Sequence, residues 1–327
     1  MMTGRKYWKE ISLVFGLILL YRDSFFARFF QDDFILQNIA KTSELLEPIP
    51  NFPYRPIAIQ FFYSLSSDPF ILHSLMFIFF LGGLYFIYKI TKSYFVVFLV
   101  AFNISLFPLF YWVATSYFSL AFFFVFAALY FNSLPIFILG LFTNELIVVF
   151  PILYLLWSWF KNKIEIKRVF PFFLVSALYL PLRVMLVPFP KATDYAIEIG
   201  KFIPTFRWYS LRIFNLPEGI RNQNIILVLF AALVLLVILN FKNFKLKSFI
   251  FGVSWFFVGA LPFFFLPGHM SAYYLTISLF GPMVFLSDLL KKYRVLFLTI
   301  YVLMAFLGLE FLKTSHWIIL KPRRKFY

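Results

Sequence analysis

The chain has no cysteine among its 327 residues. This absence excludes disulfide bridges, thiol catalysis and cysteine-ligated metal sites. The three histidines, His73, His269 and His316, do not have the spacing of a metal-binding motif. The sequence also lacks a glycine-rich phosphate loop, a Gly-x-Ser-x-Gly elbow and a His-Glu-x-x-His motif. Any chemistry must therefore come from other residue types.

Charged residues are scarce as well, at 13% of the chain, whereas 62% of the residues are hydrophobic and 24% are aromatic. Soluble domains use about 25% charged residues. Apolar runs follow one another almost from end to end, which indicates an integral, multi-pass membrane protein. The length predicts an all-α bundle of about ten or eleven transmembrane helices of about 20 residues each. We expect residues 1–327 to form a single transmembrane domain.

Apolar segments predict the helices of this bundle. The segment at 134–142 is too short to span a bilayer, so we expect a half-helix or the arm of a re-entrant hairpin there. The first segment follows basic residues but has no small-residue cleavage site after it, so we interpret it as a retained helix. The predicted segments are 10–26, 70–88, 94–109, 115–131, 134–142, 146–160, 169–188, 223–240, 248–266, 271–287 and 295–312.

The net charge of +16 is spread in small groups between the apolar segments. This pattern is typical of cytoplasmic loops and argues against a nucleic-acid partner. With the N-terminus in the cytoplasm, four basic groups fall on that side and the tail from Lys321 to Lys325 falls outside, against the positive-inside rule. Either one segment is miscounted or the tail lies at the interface. The four groups are Lys89 and Lys92; Lys161, Lys163, Lys167 and Arg168; Lys242, Lys245 and Lys247; and Lys291, Lys292 and Arg294.

Two longer stretches between the apolar segments are predicted to lie on the outer face. In the outer loop 27–69, apolar residues recur at roughly helical spacing, which predicts an amphipathic helix on the membrane surface. Those residues are Phe34, Ile35, Ile39 and Leu46. The second outer loop, 189–222, mixes aromatic residues with arginines, as is typical of the headgroup zone.

Asp32 and Asp33 form an adjacent acidic pair just after the first apolar segment, in a chain with only 14 acidic residues. One interpretation is that they cap an interfacial helix, because aspartate is favoured at helix N-termini. The other is catalytic: one carboxylate takes a proton from an acceptor hydroxyl, or the pair holds a divalent cation such as Mg²⁺ or Mn²⁺. The two interpretations are compatible, and we expect one aspartate to act while the other supports it.

Two arginines are candidates for binding a phosphate. Arg55 stands between Tyr54 and Pro56, and Arg183 lies near the outer end of its predicted helix. A guanidinium in either place can reach lipid headgroups without a specific role, or its donors can bind the phosphate of a lipid substrate.

Glu145 follows Asn144 between two apolar segments. A carboxylate at the centre of a bilayer helix costs about 2.5–3.5 kcal/mol or more, so such a residue generally faces a cavity and has a function. The simpler alternative is that this pair caps the helix from residue 146, with Asn144 as the cap.

His269 lies in a short predicted outer turn before Tyr273 and Tyr274. A lone histidine in a loop is commonly just solvated. An imidazole on the same side as the acidic pair can also donate to a phosphate or to a sugar hydroxyl.

The order of these features resembles the GT-C superfamily of membrane glycosyltransferases, and especially the branch of protein O-mannosyltransferases and TPR-type transmembrane mannosyltransferases, here without a soluble C-terminal domain. The resemblance rests on several short motifs taken together. Asn144 stands where the family usually has lysine, and Ser271-Ala272 where it has an arginine. The motifs are Asp32-Asp33, Tyr54-Arg55-Pro56, Asn103-Ile104-Ser105-Leu106-Phe107-Pro108, Thr143-Asn144-Glu145 and Gly268-His269-Met270-Ser271-Ala272-Tyr273-Tyr274.

The resemblance implies an enzyme that moves a sugar from a polyprenyl-phosphate donor to a protein, lipid or glycan acceptor. The general base would be an aspartate of the pair Asp32 and Asp33, while Arg55, Glu145 and His269 would surround the lipid phosphate or the sugar. We expect the site to face the outside or the lumen, more in keeping with a prokaryotic plasma membrane than with an endoplasmic reticulum. The alternatives are a lipid or oligosaccharide flippase or transporter, and an inactive GT-C-shaped scaffold.

Overall fold

The computed structural model describes residues 7–50, 52–187, 196–219 and 223–314. Over these residues the chain is helical throughout, with α-helices joined by short 3₁₀ turns and no strand. Its fifteen α-helices in these ranges are α1 Trp8–Tyr21, α2 Asp32–Thr42, α3 Phe62–Ser64, α4 Pro69–Thr91, α5 Tyr94–Ala101, α6 Pro108–Tyr111, α7 Ser116–Phe131, α8 Leu134–Leu141, α9 Phe150–Phe160, α10 Ile166–Leu186, α11 Phe202–Arg212, α12 Asn224–Leu239, α13 Leu246–Ala260, α14 Phe280–Leu289 and α15 Arg294–Thr314.

Five helical segments in the described chain are long and apolar enough to cross a membrane. A sixth is added when the bent pair formed by Tyr94–Ala101 and Ile104–Tyr111 counts as one span. Three further apolar helices have 10–17 residues, and α8 is short, as predicted. The chain is therefore a multi-pass membrane protein, with fewer full-length spans than the predicted ten or eleven. The five are Pro69–Thr91, Val113–Phe131, Ile166–Leu186, Leu246–Phe265 and Arg294–Thr314.

Two predicted spans are not continuous helices. The segment 94–109 bends by 53° at the break between α5 and the 3₁₀ turn Ile104–Leu106. The segment 271–287 becomes α-helical only at α14, because a 3₁₀ turn at Ala272–Leu275 precedes it. Hydropathy alone predicted both as simple helices, since it does not register side chains that bond to the backbone at a break.

Aromatic side chains fill the core between the helices. Phe80 of α4 stacks on Phe122 of α7, with ring centroids 5.1 Å apart. Helices α13 and α14 approach each other closely at Gly281, where an added Cβ would come nearest to Trp255 Cβ and would lie 2.9 Å from the carbonyl oxygen of Gly252. Small residues at such contacts let membrane helices approach closely. The core therefore holds the bundle together by ring packing and by close backbone contact.

The predicted cytoplasmic loops meet at one end of the bundle. They are joined by hydrogen bonds from Tyr94 to Glu10, from Lys247 to Asn162, from Ser248 to Asp288 at 2.8 Å, and from Asn243 to the Leu289 carbonyl at 3.2 Å. We call this the basic end, because the lysine groups named above lie in or beside these loops.

The opposite end carries the candidate site residues. Helix α4 runs roughly 35 Å from Pro69 to Thr91, beside the basic residue Lys92. Helix α2 and residues 57–64 pack together near the start of α4, where Gln37 donates to the Ser66 carbonyl at 3.4 Å. Likewise Glu145 and Arg183 stand at the ends of α9 and α10 that are remote from their basic loop. The predicted position of the tail from Lys321 to Lys325 lies outside the described residues.

Candidate functional site

Helix α2 begins at the acidic pair, and the two carboxylates have different environments. Its buried side, which includes Leu36, packs on residues 57–64. Phe34 and Ile35 are exposed, whereas Ile39 is buried against the protein and does not lie on the predicted membrane-facing side. The N-cap is Gln31, without a side-chain capping bond. Both aspartates nevertheless lie in the first turn of α2, where the helix dipole favours negative charge, as the helix-start interpretation predicts.

Asp33 is fully buried and Asp32 is exposed. The Asp33 carboxylate accepts hydrogen bonds from the Phe30 N–H at 2.8 Å and from the Tyr63 hydroxyl at 3.0 Å. The turn Val113–Thr115, just before α7, packs against α2. These bonds fix the start of α2, so that Asp32 is presented outward from a rigid backbone.

The turn from Gln31 to Asp33 has both a shifted carboxyl pKa and an unusual backbone conformation. Burial raises the pKa of the Asp33 carboxyl to about 7, although the hydrogen bonds from Phe30 and Tyr63 act in the opposite direction. Gln31, immediately before the pair, has a positive φ of 42°. Non-glycine residues adopt such angles at a cost of about 1–3 kcal/mol, and they concentrate at active sites.

The acidic pair does not by itself form a metal site. Both carboxylate oxygens of Asp33 accept bonds from N–H or O–H donors, so Asp32 is the member of the pair left to contact a cation. Across the described ranges, no group of three or more His, Cys, Asp or Glu side chains is placed to hold a metal ion. Mg²⁺ is commonly bound by only one or two carboxylates when water and phosphate oxygens complete its ligands. The divalent cation expected as a possibility at the pair therefore stays a prediction.

Arg55 and Glu145 form the strongest ion pair of the site. The Nε and Nη2 atoms of Arg55 donate to the two carboxylate oxygens of Glu145 at 2.7 and 2.8 Å. The guanidinium carbon lies 4.0 Å from the ring centroid of Tyr117 in α7. Arg55 and Glu145 expose only 13% and 24% of their side chains. Burial disfavours the charged guanidinium, but Glu145 more than offsets this effect and raises the pKa of Arg55. Arg55 is therefore anchored and does not snorkel to headgroups.

Backbone contacts hold the turn that carries Glu145. The Oδ1 atom of Asn144 accepts from the Leu146 N–H at 3.0 Å, which confirms the predicted cap. Ile57 N–H donates to the Phe142 carbonyl at 3.2 Å and ties this turn to the segment after Arg55. The cap at Asn144 is thus confirmed, and Glu145 is paired with Arg55.

Arg183 and two tyrosines surround the ion pair. Arg183 is buried, donates to the Val187 carbonyl, and lies close enough to Glu145 for the two charges to interact. The Tyr179 hydroxyl donates to the Leu141 carbonyl at 3.0 Å. Tyr54 packs edge-on against Phe142 with centroids 6.2 Å apart, and its hydroxyl donates to the Leu46 carbonyl at 3.3 Å. The structure therefore brings Tyr54, Arg55, Asn144, Glu145 and Arg183 into one cluster, which we call the arginine cluster.

The motif around His269 forms a wall of aromatic rings beside the acidic pair. Tyr274 stacks on Phe263 at 3.6 Å, and the His269 ring lies 5.8 Å from Tyr274. Tyr273 packs against Trp112, with centroids 6.4 Å apart. Both tyrosines are buried and His269 is partly exposed.

Three aromatic residues that sequence reasoning missed join the parts of the site. Tyr63 donates a hydrogen bond to Asp33, and Tyr117 packs on Arg55. Trp112 contacts Phe30 next to the acidic pair, and Tyr273 on its other side. In the sequence only their positions near predicted helix starts at the outer face hinted at a role.

Taken together, an exposed carboxylate, a buried cationic cluster and an aromatic wall lie at the end of the bundle opposite the basic loops. An exposed carboxylate can accept a proton, two arginines can bind an anion, and aromatic rings can pack on a sugar. Comparison with known proteins adds no relative, since no family model, no curated protein and no solved structure matches the chain.

Proposed function

We propose that the chain is a GT-C-like membrane glycosyltransferase that moves a sugar from a polyprenyl-phosphate donor to an acceptor on the outer or luminal face. The observation that carries this proposal is the convergence of Asp32, the arginine cluster and the tyrosines Tyr273 and Tyr274 at one end of the bundle. The proposal thereby unites motifs that lie up to about 240 residues apart in the sequence.

Asp32 is the proposed general base. It is exposed, so an acceptor hydroxyl can reach it, whereas Asp33 is buried and already accepts bonds from protein donors. In the reaction the acceptor oxygen bonds to the anomeric carbon of the sugar while its proton passes to Asp32. The bond between that carbon and the phosphate oxygen breaks, and the lipid phosphate leaves with the electron pair. Asp33 keeps Asp32 in place.

The arginine cluster is the proposed phosphate site. Arg55 and Arg183 carry two positive charges and Glu145 one negative charge, so the cluster retains one positive charge away from bulk water. Such a charge favours an anionic leaving group where its charge develops. Tyr117 and Glu145 fix the guanidinium of Arg55, which limits the reorganisation that binding requires. The GT-C family usually has a lysine at the position of Asn144. We propose that Arg183 supplies the positive charge of that lysine in this chain.

The aromatic wall is the proposed sugar-binding surface. Trp112 is partly exposed and offers its ring next to Phe30, while the buried rings of Tyr273 and Tyr274 pack behind it. Rings of this kind bind the apolar face of a sugar. His269 is partly exposed and can donate to a hydroxyl of the sugar.

The transporter alternative has less support. It needs charged groups along a path through the spanning helices. Within the five long described spans the charged residues lie near the ends, as Arg168 and Arg183 do in α10 and Arg294 and Lys313 do in α15. An inactive scaffold would not need a carboxylate held outward beside a strained residue.

The experiment that tests the proposal is a transfer assay with purified protein in liposomes. A radiolabelled polyprenyl-phosphate sugar is supplied, and both its consumption and the labelled product are measured. Consumption of the donor distinguishes transfer from transport, which moves the lipid unchanged. The chelator EDTA is included in a parallel reaction: loss of transfer would show that a divalent cation takes part, and an unchanged rate would show that Asp32 acts without one.

A further inference from the structure

The motif Asn103-Ile104-Ser105 lies where the sixth candidate span breaks. The 53° bend leaves two backbone groups without helical partners, the carbonyl of Phe102 and the N–H of Ile104. Unsatisfied backbone groups are costly inside a membrane protein. Both are bonded by one distant side chain, since Asn215 Nδ2 donates to the Phe102 carbonyl at 2.9 Å and its Oδ1 accepts from the Ile104 N–H at 2.5 Å.

Asn215 has the burial and the backbone conformation that these hydrogen bonds require. Its amide also donates to the Tyr301 carbonyl of α15 at 2.8 Å, and the residue is fully buried. Its backbone has a positive φ of 67°, a conformation that asparagine tolerates better than most residues. One side chain thus satisfies both sides of the break and joins it to another helix.

Asn103, at the break itself, belongs to the same hydrogen-bond network. Its Nδ2 donates to the Arg212 carbonyl at 2.9 Å and to the Tyr301 hydroxyl at 2.6 Å. The Tyr301 hydroxyl in turn donates to the Ile213 carbonyl at 3.1 Å. Side-chain hydrogen bonds of Asn103, Asn215 and Tyr301 therefore join the break to α11 and α15.

This network lies directly behind the candidate site. The turn Ile104–Leu106 packs against Ala272–Leu275, which carries Tyr273 and Tyr274. The chain then continues through α6 to the turn Val113–Thr115, which packs against α2, the helix that carries Asp33. Both the aromatic wall and the support of the acidic pair thus depend on the direction that the chain takes after the break.

We infer that Asn215 is a positioning residue of the proposed transferase site, acting through the break at Asn103 on the aromatic wall and on the Asp33 support. The inference rests on the proposed function only in so far as the site is called a transferase site. The structural coupling itself is testable without any substrate.

The absence of cysteine from the natural sequence allows a direct test. Single cysteines are introduced at Ala114 or at Ala272, both of which are buried. Their rates of maleimide labelling are measured in detergent in three backgrounds: the parent, Asn215→Gly and Asn240→Gly. Glycine accepts the positive φ of Asn215, so that variant removes the side-chain bonds without adding strain. Asn240 is a buried asparagine at the basic end, where it donates to the Leu236 carbonyl, and it serves as the matched control.

Asn215→Gly is expected to raise the labelling rate at both reporters by about tenfold, because labelling follows the free energy of local opening. Asn240→Gly leaves both rates near those of the parent. Equal rates in the two glycine variants, or reporters that stay protected in Asn215→Gly, would overturn the inference. Neither result bears on sugar transfer, so a failed transfer assay and a failed labelling test are distinguishable.

Discussion

Arg55 and Glu145, ninety residues apart in the sequence, meet in a two-pronged ion pair at 2.7 and 2.8 Å. The pair joins the segment after α2 to the turn before α9, which are the two parts of the chain that frame the arginine cluster. It is mostly buried, and Tyr117 covers one face of the guanidinium. Loss of either partner leaves the other as an uncompensated charge in a site of low polarity.

We predict that Glu145→Gln lowers the free energy of unfolding by about 3 kcal/mol, the range for breaking a buried pair. Measurement of unfolding in detergent, for this variant, Arg55→Gln and the double variant, gives the coupling energy. The control is the exposed pair of Arg168 and Glu165, for which Glu165→Gln should change stability little. Additive effects of Arg55→Gln and Glu145→Gln would show that the pair contributes no coupling.

Asp33 should make stability depend on pH between about 4 and about 7. Its folded pKa of about 7 lies above the unfolded value, so the folded state binds its proton more tightly. The contribution is therefore complete below the unfolded pKa and is lost as pH rises through the folded pKa. It amounts to at most about 4 kcal/mol at about 1.4 kcal/mol per pKa unit.

Thermal melting of the parent and Asp33→Asn across this window checks that expectation. The parent should lose stability as pH rises, and Asp33→Asn should lose distinctly less. Tyr63→Phe removes one donor to the carboxylate and should move the transition to higher pH, because the charged form loses a hydrogen bond. Asp68→Asn, at the exposed cap of α4, should retain the parent's slope. A slope that Asp33→Asn leaves unchanged would refute the assignment.

Gly281→Ala should destabilise the bundle by about 1–3 kcal/mol through overpacking. The added Cβ would lie 2.9 Å from both the Gly252 carbonyl oxygen and Trp255 Cγ, and the backbone atom cannot move aside as a flexible side chain can. Gly200→Ala is the matched control, since an added Cβ there has no neighbour within 4 Å. Equal melting temperatures for the two variants would show that α13 and α14 are not in this close contact.

The sequence predicted the helical membrane class and most helix positions because these follow from long apolar runs. For example, the segment predicted at 70–88 is α4 at Pro69–Thr91. The break near Asn103 and the late start of α14 were not predictable in this way. They depend on bonds from distant side chains, such as Asn215 across 111 residues to Ile104, and such bonds have no local signature.

The same distinction applies to the candidate site, where the sequence identified some residues but not the contacts between them. Scarce polar residues in an apolar chain marked Asp32, Asp33, Arg55, Glu145 and Arg183. The pairing of Arg55 with Glu145 and the burial of one aspartate beside the exposure of the other are tertiary facts. The contribution of Tyr63, Tyr117 and Trp112 was missed because aromatic residues are abundant throughout the chain, at 24%, so that no single one stands out.

The most direct test of the proposed function compares sugar transfer by the parent, Asp32→Asn and Asp23→Asn in the liposome assay. Asp23 is an exposed carboxylate at the end of α1 that pairs with Lys313, so it matches Asp32 in charge and exposure. The account predicts that Asp32→Asn lowers the rate at least about a hundredfold, the usual contribution of a general base, while Asp23→Asn stays near the parent. All three proteins should bind the donor lipid alike. Transfer by Asp32→Asn at the parent's rate, or no consumption of donor by the parent, would contradict the account.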